Sequence, residues 1–500
     1  MTTVSKPIAK SGTALLVSQV GLNVVNVITT IFLARVLTKP EFAVLAVLEI
    51  MISIFQFSDL GFLSVAVQQA PSKIKRDDQR NDGMALIKGA VVYRTIIVLL
   101  MGSFFFVFAP FFAQLFLKDP DQTWAIRMLV PASIGTIWFY TLQSITQIKN
   151  DFYLIARWNF ISGILRSVLS IVALLVFGYP TFLAAITLSI LLSVIGFGWS
   201  LRPFIFNKIA PVPFIKTFRY GFPLFIDSFF SYGFSQYDQL LVATLLTPFD
   251  LASYNIARRF AKMLAVMIDA FLRPITIRMA SLRNEEDEVQ GLFFRKATRY
   301  TTLLFFPLSL LIAAASPWIM FVFGGVKYAS NWPLLALLAL IQGVYSLYIV
   351  FGSGVFARLM PWSIMLMDGI TGGVNFLLAP VLITLLGKNG VAWGQLLGFI
   401  TGIFVAHFML RGLKGFRFEW SVLAIISPPL IAACSLIIVG QFIYFRLWIV
   451  PLYIILGGII YIFWLGKRLS AEDWGLIQTM VPAWLLPNFI KIQRVIQRQM

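Results

Sequence analysis

Charged side chains lie deep inside stretches of this chain that are otherwise apolar, and they are its clearest candidates for chemistry. In the stretch 250–281, Arg258, Lys262 and Asp269 share one face of a helix, and Arg259 follows Arg258. Arg258 would lie about 12 Å from the start of such a helix, at 1.5 Å per residue. A cation at the centre of a membrane helix costs roughly 2.5–3.5 kcal/mol on insertion scales, so it usually marks a pathway for a ligand.

These cations predict a ligand that carries negative charge, because the planar arginine side chain can donate two hydrogen bonds at once to a phosphate group. Snorkelling to the membrane surface and internal ion pairing are the competing roles, and the sequence does not decide between them. The candidate ligand-binding cations are Arg258, Arg259, Lys262, Arg94, Arg166 and Arg127. The candidate gating or coupling carboxylates are Glu49, Asp59, Asp227, Asp238 and Asp269.

Motifs for enzyme chemistry are missing from the sequence. No G-x-x-x-x-G-K-[ST] segment is present to cradle ATP phosphates, and no G-x-S-x-G segment presents a nucleophilic serine. The single histidine, His407, cannot build a histidine-rich metal site, and the single cysteine, Cys434, cannot form an internal disulfide. We therefore predict a protein that is not an enzyme, with no catalytic residues, no metal site and no cofactor.

The elements that position these charges are predicted to be membrane-spanning helices. The chain is 59 % hydrophobic and 12 % charged, which is unlike a soluble globular domain. Crossing a bilayer takes about 20 apolar residues, and the stretches here are continuously apolar instead of alternating as in a β-barrel. The prediction is an all-α polytopic membrane protein with fourteen transmembrane helices, at residues 11–34, 41–67, 84–109, 123–148, 154–178, 181–201, 218–246, 250–281, 297–324, 331–358, 361–386, 389–411, 420–444 and 447–467.

Basic residues set the predicted orientation. With the N-terminus in the cytoplasm, most of the 40 Lys and Arg residues fall on the cytoplasmic side, as the positive-inside rule requires. Fourteen spans return the C-terminus to the cytoplasm, where residues 469–500 are predicted to form an amphipathic tail on the inner leaflet. The net charge of +19 is therefore expected to contact anionic membrane lipid and not nucleic acid.

One short connector occurs twice in the chain. LTKPEFA at 37–43 and LTPFDLA at 246–252 align without a gap, 209 residues apart. The first joins predicted helices 1 and 2 and the second joins helices 7 and 8, so both have the same orientation. We predict two parallel six-helix lobes, an architecture of transporters whose ligand path lies between the repeats. The predicted divisions are 1–210, 211–415, 416–468 with helices 13 and 14, and the tail 469–500.

The same offset relates polar and charged residues of the two lobes. Helix 1 and helix 7 each carry a stripe of polar residues at equivalent positions, which predicts that the two stripes line a water-filled cavity. The alternative is that these residues form hydrogen bonds that hold helices together. Glu49 corresponds to Arg258, which predicts an ion pair between the lobes in one access state, the alternative being pairs within each lobe. The stripe residues are Gln19, Asn23, Asn26 and Thr30 in helix 1, and Ser228, Tyr232, Ser235 and Gln239 in helix 7.

Four parts of the chain carry a family pattern. They are LARVLTKPEFAVLAVLEI followed by FSDLGF, RYGFPLFIDSFFSYGFSQYDQLLVATLLTPFDLASYNIARR, FGGVKYASNWPLLALLAL and LGKNGVAWGQLLG. Within the second part, Asp238 and the run formed by Tyr254, Ala257 and Arg259 are typical of the family that these segments resemble. These segments resemble the polysaccharide transporter, or O-antigen flippase, family of the multidrug/oligosaccharidyl-lipid/polysaccharide exporter superfamily, over roughly residues 11–411. Ala43 and Ala252 stand where members often have glycine.

The resemblance implies translocation of a polyprenyl-diphosphate-linked oligosaccharide from the inner to the outer leaflet of a bacterial plasma membrane, for O-antigen, capsule or exopolysaccharide assembly. It also implies alternating access of two lobes, driven by a gradient of either H⁺ or Na⁺. The expected partner is a polysaccharide polymerase or export machinery. The alternatives are a multidrug or cation antiporter of the same superfamily, a lipid II flippase, and a membrane glycosyltransferase or polymerase. A membrane glycosyltransferase or polymerase would be expected to carry a long external loop, and the external loops predicted here are short.

Overall fold

All regular structure in the residues described by the computed structural model is helical. These residues are 21–22, 25–74, 76–149, 151–205, 209–282, 285–358, 361–411, 416, 418, 421–443, 449–466 and 474. The first nine helices are α1 (Val25–Val36), α2 (Lys39–Gln56), α3 (Phe62–Ile74), α4 (Arg80–Val107), α5 (Ala109–Leu117), α6 (Thr123–Ile148), α7 (Phe152–Phe177), α8 (Tyr179–Ser200) and α9 (Arg202–Ile205). The others are α10 (Phe214–Ser235), α11 (Tyr237–Leu245), α12 (Pro248–Ser281), α13 (Asp287–Ala314), α14 (Ser316–Gly324), α15 (Val326–Ala329), α16 (Trp332–Arg358), α17 (Pro361–Leu386), α18 (Lys388–Leu410), α19 (Ser421–Ile443) and α20 (Val450–Gly466).

Each predicted apolar stretch coincides with helix where it is described, so the all-α prediction is confirmed. Three stretches nevertheless divide into two helices each, α2 with α3, α10 with α11, and α13 with α14. At the first break Leu60 and Gly61 have φ of 41° and 81°, and at the second Gln236 has φ of −140° and ψ of −20°. A change in the dihedrals of one or two residues ends a helix without altering the apolar pattern, and the sequence analysis missed it for that reason.

Ten helices in the described part of the chain are long and apolar enough to cross a membrane. The chain is thus a polytopic membrane protein, but the count of fourteen is not confirmed. The helices of the seventh and eighth predicted stretches, α10 and α12, are not among the ten, because polar and charged side chains interrupt their apolar character. Val25–Val36 and Val450–Gly466 are apolar but shorter. Of the predicted tail only Trp474 is described.

The helices assemble into two compact units. Unit 1 contains the described residues of Met1–Ile256 and Phe376–Val391, and unit 2 those of Ala257–Asn375 and Ala392–Met500. Within unit 1 the later segment is held by the ring of Phe376, whose centroid lies 4.3 Å from that of Tyr237. It is also held by an ion pair between Lys388 Nζ and Asp250 Oδ1, 3.1 Å apart. The predicted division into lobes at residue 210 stays a prediction.

The two copies of the repeated connector begin helices in the same way. The Thr38 hydroxyl accepts the Glu41 N–H at 3.4 Å, and Glu41 Oε2 accepts the Thr38 N–H at 2.8 Å, which forms a capping box before α2. The Thr247 hydroxyl accepts the Asp250 N–H at 3.2 Å and donates to Asp250 Oδ2 at 2.7 Å, before α12. A threonine with an acid three residues later satisfies N–H groups that the first helical turn leaves without partners. The connector therefore recurs because both helices need the same start.

Two glycines bring α10 against the break between α2 and α3, within unit 1. A Cβ atom on Gly61 would lie 2.1 Å from the carbonyl oxygen of Gly221, and one on Gly221 would lie 2.9 Å from the carbonyl carbon of Gly61. Only residues without a side chain allow two backbones to approach so closely. Aromatic rings pack beside this contact, with the centroid of Phe62 5.1 Å from that of Phe214.

Candidate functional site

Three of the six candidate cations lie on α12. Arg258 is 4 % exposed, whereas Arg259 and Lys262 are partly buried. All three interact with other groups of the protein. A buried cation is strongly destabilising without an opposing charge or hydrogen-bond acceptors, so the interactions of Arg258 meet a structural requirement, and its role in ligand binding stays a prediction.

Arg94 on α4 lies beside the break between α2 and α3. It is 6 % exposed, and the charge of Asp59 acts on it, while its Nε has no hydrogen-bond partner among the described residues. Asp59 itself caps α3, because its Oδ1 accepts the Leu63 N–H at 2.7 Å and its Oδ2 accepts the Ser64 hydroxyl at 3.3 Å. The predicted gating acid thus stabilises a helix start, and its role in gating stays a prediction.

The remaining two cations, Arg127 and Arg166, are exposed. The guanidinium carbon of Arg127 lies 5.4 Å from the centroid of the Phe106 ring, a cation–π distance. Arg166 on α7 and Glu49 on α2 both act electrostatically on the hydroxyl of Tyr140 on α6. The structure therefore separates Arg127, which packs on an aromatic ring, from Arg166, which belongs to a polar group of side chains in unit 1.

The helix 1 stripe is described only in part. Gln19 and Asn23 lie outside the described residues, Asn26 is partly buried, and Thr30 is 7 % exposed. The lining of a cavity by this stripe stays a prediction.

The helix 7 stripe is likewise divided. The exposed hydroxyl of Ser228 donates to the Leu224 carbonyl at 2.9 Å. Gln239 is 1 % exposed and its Nε2 donates to the Ala46 carbonyl of α2 at 3.0 Å, so it has the alternative role of holding two helices together. The side chains of Tyr232 and Ser235, and that of the candidate acid Asp227, lie outside the described part of the chain.

Two predicted carboxylates of unit 1 are held by the first turns of α12. The Tyr254 hydroxyl donates to Asp238 Oδ2 at 2.7 Å, and Asn255 Nδ2 donates to Glu49 Oε2 at 3.3 Å. Tyr254 and Asp238 are 0 % and 3 % exposed. The sequence analysis had Tyr254 only as part of a family pattern and missed Asn255, although both precede Arg258 by about one helical turn. The Glu49–Arg258 pair stays a prediction.

Two further carboxylates are held by tyrosines inside unit 2. The Tyr345 hydroxyl donates to Asp269 Oδ1 at 3.3 Å, and the Tyr348 hydroxyl donates to Asp368. The ring centroid of Phe399 lies 5.3 Å from that of Tyr345 and 5.2 Å from that of Tyr348. The tyrosine hydrogen bonds fix these carboxylates within unit 2, and the coupling role of Asp269 stays a prediction. The sequence analysis did not include the two tyrosines, although they lie three residues apart on one face of α16.

The sequence matches known proteins of polysaccharide biosynthesis. The family model described as "Polysaccharide biosynthesis protein" matches residues 32–333, more than half of the chain. "Succinoglycan biosynthesis transport protein ExoT" of Rhizobium meliloti (strain 1021) is 26 % identical over 447 residues, which cover 85 % of this chain and 84 % of that protein.

Solved transporters have a similar fold. The lipid II flippase MurJ in an inward closed conformation has a TM-score of 0.73 at 15 % identity, over 90 % of this chain and 97 % of that one. An inward-facing multidrug resistance MATE family transporter of the MOP superfamily has a TM-score of 0.60 at 16 % identity, over 79 % of this chain and 95 % of that one. At these identities the similarity concerns the fold alone. Taken with the family match, it makes this chain a member of the polysaccharide biosynthesis protein family, a multi-pass membrane protein with a fold similar to that of MOP superfamily transporters.

Proposed function

We propose that this chain is a flippase that moves a polyprenyl-diphosphate-linked oligosaccharide from the inner to the outer leaflet of a bacterial plasma membrane. The observation that carries the proposal is the burial of Arg94 and Arg258, which are 6 % and 4 % exposed in a polysaccharide biosynthesis transporter. Buried arginines favour an anionic ligand, and a diphosphate accepts the paired hydrogen bonds that arginine donates. The polyprenyl tail stays in the bilayer throughout, so its apolar surface is not transferred into water during transport.

The relative from Rhizobium meliloti supports the class of cargo, because its name places it in succinoglycan biosynthesis transport. The flipped lipid would feed exopolysaccharide, capsule or O-antigen assembly, with a polymerase or export machinery as partner. Fourteen spans with both termini in the cytoplasm accompany this proposal, and the basic cytoplasmic surface contacts anionic lipid.

Transport proceeds in this proposal by alternating access of two lobes. Cations of α12 such as Arg258 and Lys262 hold the diphosphate, and the pair predicted from the sequence, Glu49–Arg258, forms in one access state and breaks in the other. The tyrosine-bound Asp269 of unit 2 is the acid that links the cycle to an H⁺ or Na⁺ gradient, because a carboxylate that accepts a hydrogen bond from Tyr345 at 3.3 Å has further lone pairs for a proton or cation.

The test is a leaflet-accessibility assay in liposomes with a labelled polyprenyl-diphosphate disaccharide. We expect the intact protein to make the label accessible in the opposite leaflet. Arg258→Ala and Lys262→Ala should each slow the rate at which the label becomes accessible by at least about tenfold, which corresponds to the loss of one charge-assisted hydrogen bond. Arg278→Ala is the matched control, because Arg278 is an exposed arginine of the same helix and is expected to leave the rate unchanged.

Three results would contradict the proposal. Unchanged rates in both α12 variants would remove this helix from the mechanism. Transport of lipid II at the expense of the disaccharide lipid would favour the peptidoglycan alternative. Uptake of a lipophilic cationic dye without any movement of either lipid would favour a drug antiporter.

A further inference from the structure

A second pair of polar stripes lies within unit 1, on α6 and α7. Tyr140, Gln143 and Gln147 recur at i, i+3 and i+7 along α6, and Asn159, Ser162 and Arg166 recur at the same spacing along α7. Residues at these spacings share one face of a helix. Each stripe extends for about 10 Å at 1.5 Å per residue.

Exposure shows which way the α7 stripe points. Phe160, Ile164 and Val168 are exposed apolar side chains, 40 %, 36 % and 53 %, and lie on one side of α7, the side suited to lipid. Arg166 is two residues from Ile164 and from Val168, about 200° around the helix, and it too is exposed. Charged side chains within membrane helices usually face the bundle interior or a water-filled cavity, so we expect the α7 stripe to lie on the side away from lipid.

The two stripes are joined to each other by their side chains. Gln143 Nε2 donates to Asn159 Oδ1 at 2.5 Å, and the charge of Arg166 acts on the Tyr140 hydroxyl, as does that of Glu49 from α2. The group holds one acid and one base, and its other members are neutral amides and hydroxyls. Its charge is therefore balanced, unlike that of a site built for a diphosphate.

We propose that these stripes form the sugar subsite of the transporter, and that Arg166 binds hydroxyl groups of the oligosaccharide and not its diphosphate. Amides, a carboxylate and an arginine present paired donors and acceptors, which match the adjacent hydroxyls of a pyranose ring. The Tyr140 ring, 38 % exposed, offers an apolar face to the C–H groups of a sugar. The subsite rests on the proposed function, because it assigns the head group of the same cargo.

Equilibrium binding to the protein in nanodiscs tests the subsite separately from transport. The probes are polyprenyl diphosphates that carry no sugar, one hexose, two hexoses or four hexoses. We expect the affinity of the intact protein to rise with the number of hexoses, and this arm needs no variant. An affinity that does not depend on the number of hexoses would overturn the subsite.

Variants then locate the site. Asn159→Leu and Gln143→Met should each weaken binding of the tetrahexose lipid about tenfold, the loss of one or two hydrogen bonds, and leave the sugar-free lipid unchanged. Arg166→Gln should behave in the same way, whereas an equal loss for the sugar-free lipid would return Arg166 to the diphosphate. Gln114→Met, the same change at an exposed glutamine of α5, is the matched control.

The remaining outcomes separate the two proposals. Equal losses for all four lipids would show that Gln143 and Asn159 only hold α6 to α7, and no loss for any lipid would exclude the stripes from binding. If the intact protein binds in proportion to sugar number but moves no lipid in the liposome assay, the flippase proposal fails and the subsite stands.

Discussion

Replacing Gly61 by alanine should be among the most destabilising single changes in unit 1. The new methyl group would lie 2.1 Å from the carbonyl oxygen of Gly221, and an ordinary contact begins at about 3.4 Å, so α10 would have to move away from the start of α3. Gly61 also has φ of 81°, a conformation that an alanine adopts only at a cost. The substitution thus combines a backbone penalty with a steric one.

Two other glycines let these penalties be measured apart. Gly387 has φ of 57°, and a Cβ atom there would meet nothing within 4 Å, so Gly387→Ala reports backbone strain alone, about 1–2 kcal/mol. Gly221 has no positive φ, and its Cβ would lie 2.9 Å from the Gly61 carbonyl carbon, so Gly221→Ala reports overpacking alone, about 1–3 kcal/mol. Gly61→Ala should lower the free energy of unfolding by about 2–5 kcal/mol, the sum of both effects.

The assay is the apparent midpoint of thermal unfolding of each purified variant in the same detergent and at the same heating rate, because unfolding of a protein this large is often irreversible. We expect the lowest midpoint for Gly61→Ala and higher midpoints for the two single-penalty variants. A midpoint for Gly61→Ala equal to that of Gly387→Ala would refute the reasoning, since it would mean that the contact between the two backbones contributes nothing.

Three further predictions concern caps and carboxylates. Thr247→Val should lower the free energy of unfolding by about 1 kcal/mol through loss of the N-cap, with Thr247→Ser close to the native value, as measured by denaturant unfolding. Tyr254→Phe removes a donor from the buried carboxylate of Asp238 and should cost about 1–3 kcal/mol; an unchanged midpoint would contradict the importance of this hydrogen bond. Exchanging the charges of Glu49 and Arg258 together should restore more flipping than either single reversal, whereas additive losses would argue against the pair.

The helices could be predicted from the sequence because each needs a long apolar run, and such runs survive local irregularities. The breaks could not, because the one at Leu60 and Gly61 depends on two dihedral angles and on a glycine that is 160 residues away in the chain, Gly221. The repeated connector gave the right pairing of helix starts, but its physical cause, a threonine N-cap with an acid at the third position, emerges only from the hydrogen bonds around Thr38 and Thr247.

The candidate site could be predicted only as a set of residue types. Intramembrane charge identified Arg94 and Arg258, and the structure buries both. The polar stripes of α6 and α7 were not predicted, because the offset of 209 residues was applied only to predicted helices 1, 2, 7 and 8. At that offset Asn159 corresponds to Asp368, whereas Gln143 corresponds to Gly352. A scan for polar residues at i, i+3 and i+7 inside every apolar stretch would have found them.

The composition of unit 1 has a consequence for how the protein is made. Because this unit takes in Phe376–Val391 as well as Met1–Ile256, it cannot be completed until the ribosome has passed residue 391 of the 500. Contacts between such distant parts of a chain form late and slowly, so the early helices must wait in the membrane, open to degradation, while the rest is inserted. A chain truncated before residue 376 would therefore be cleared by quality control and not persist as a stable N-terminal fragment.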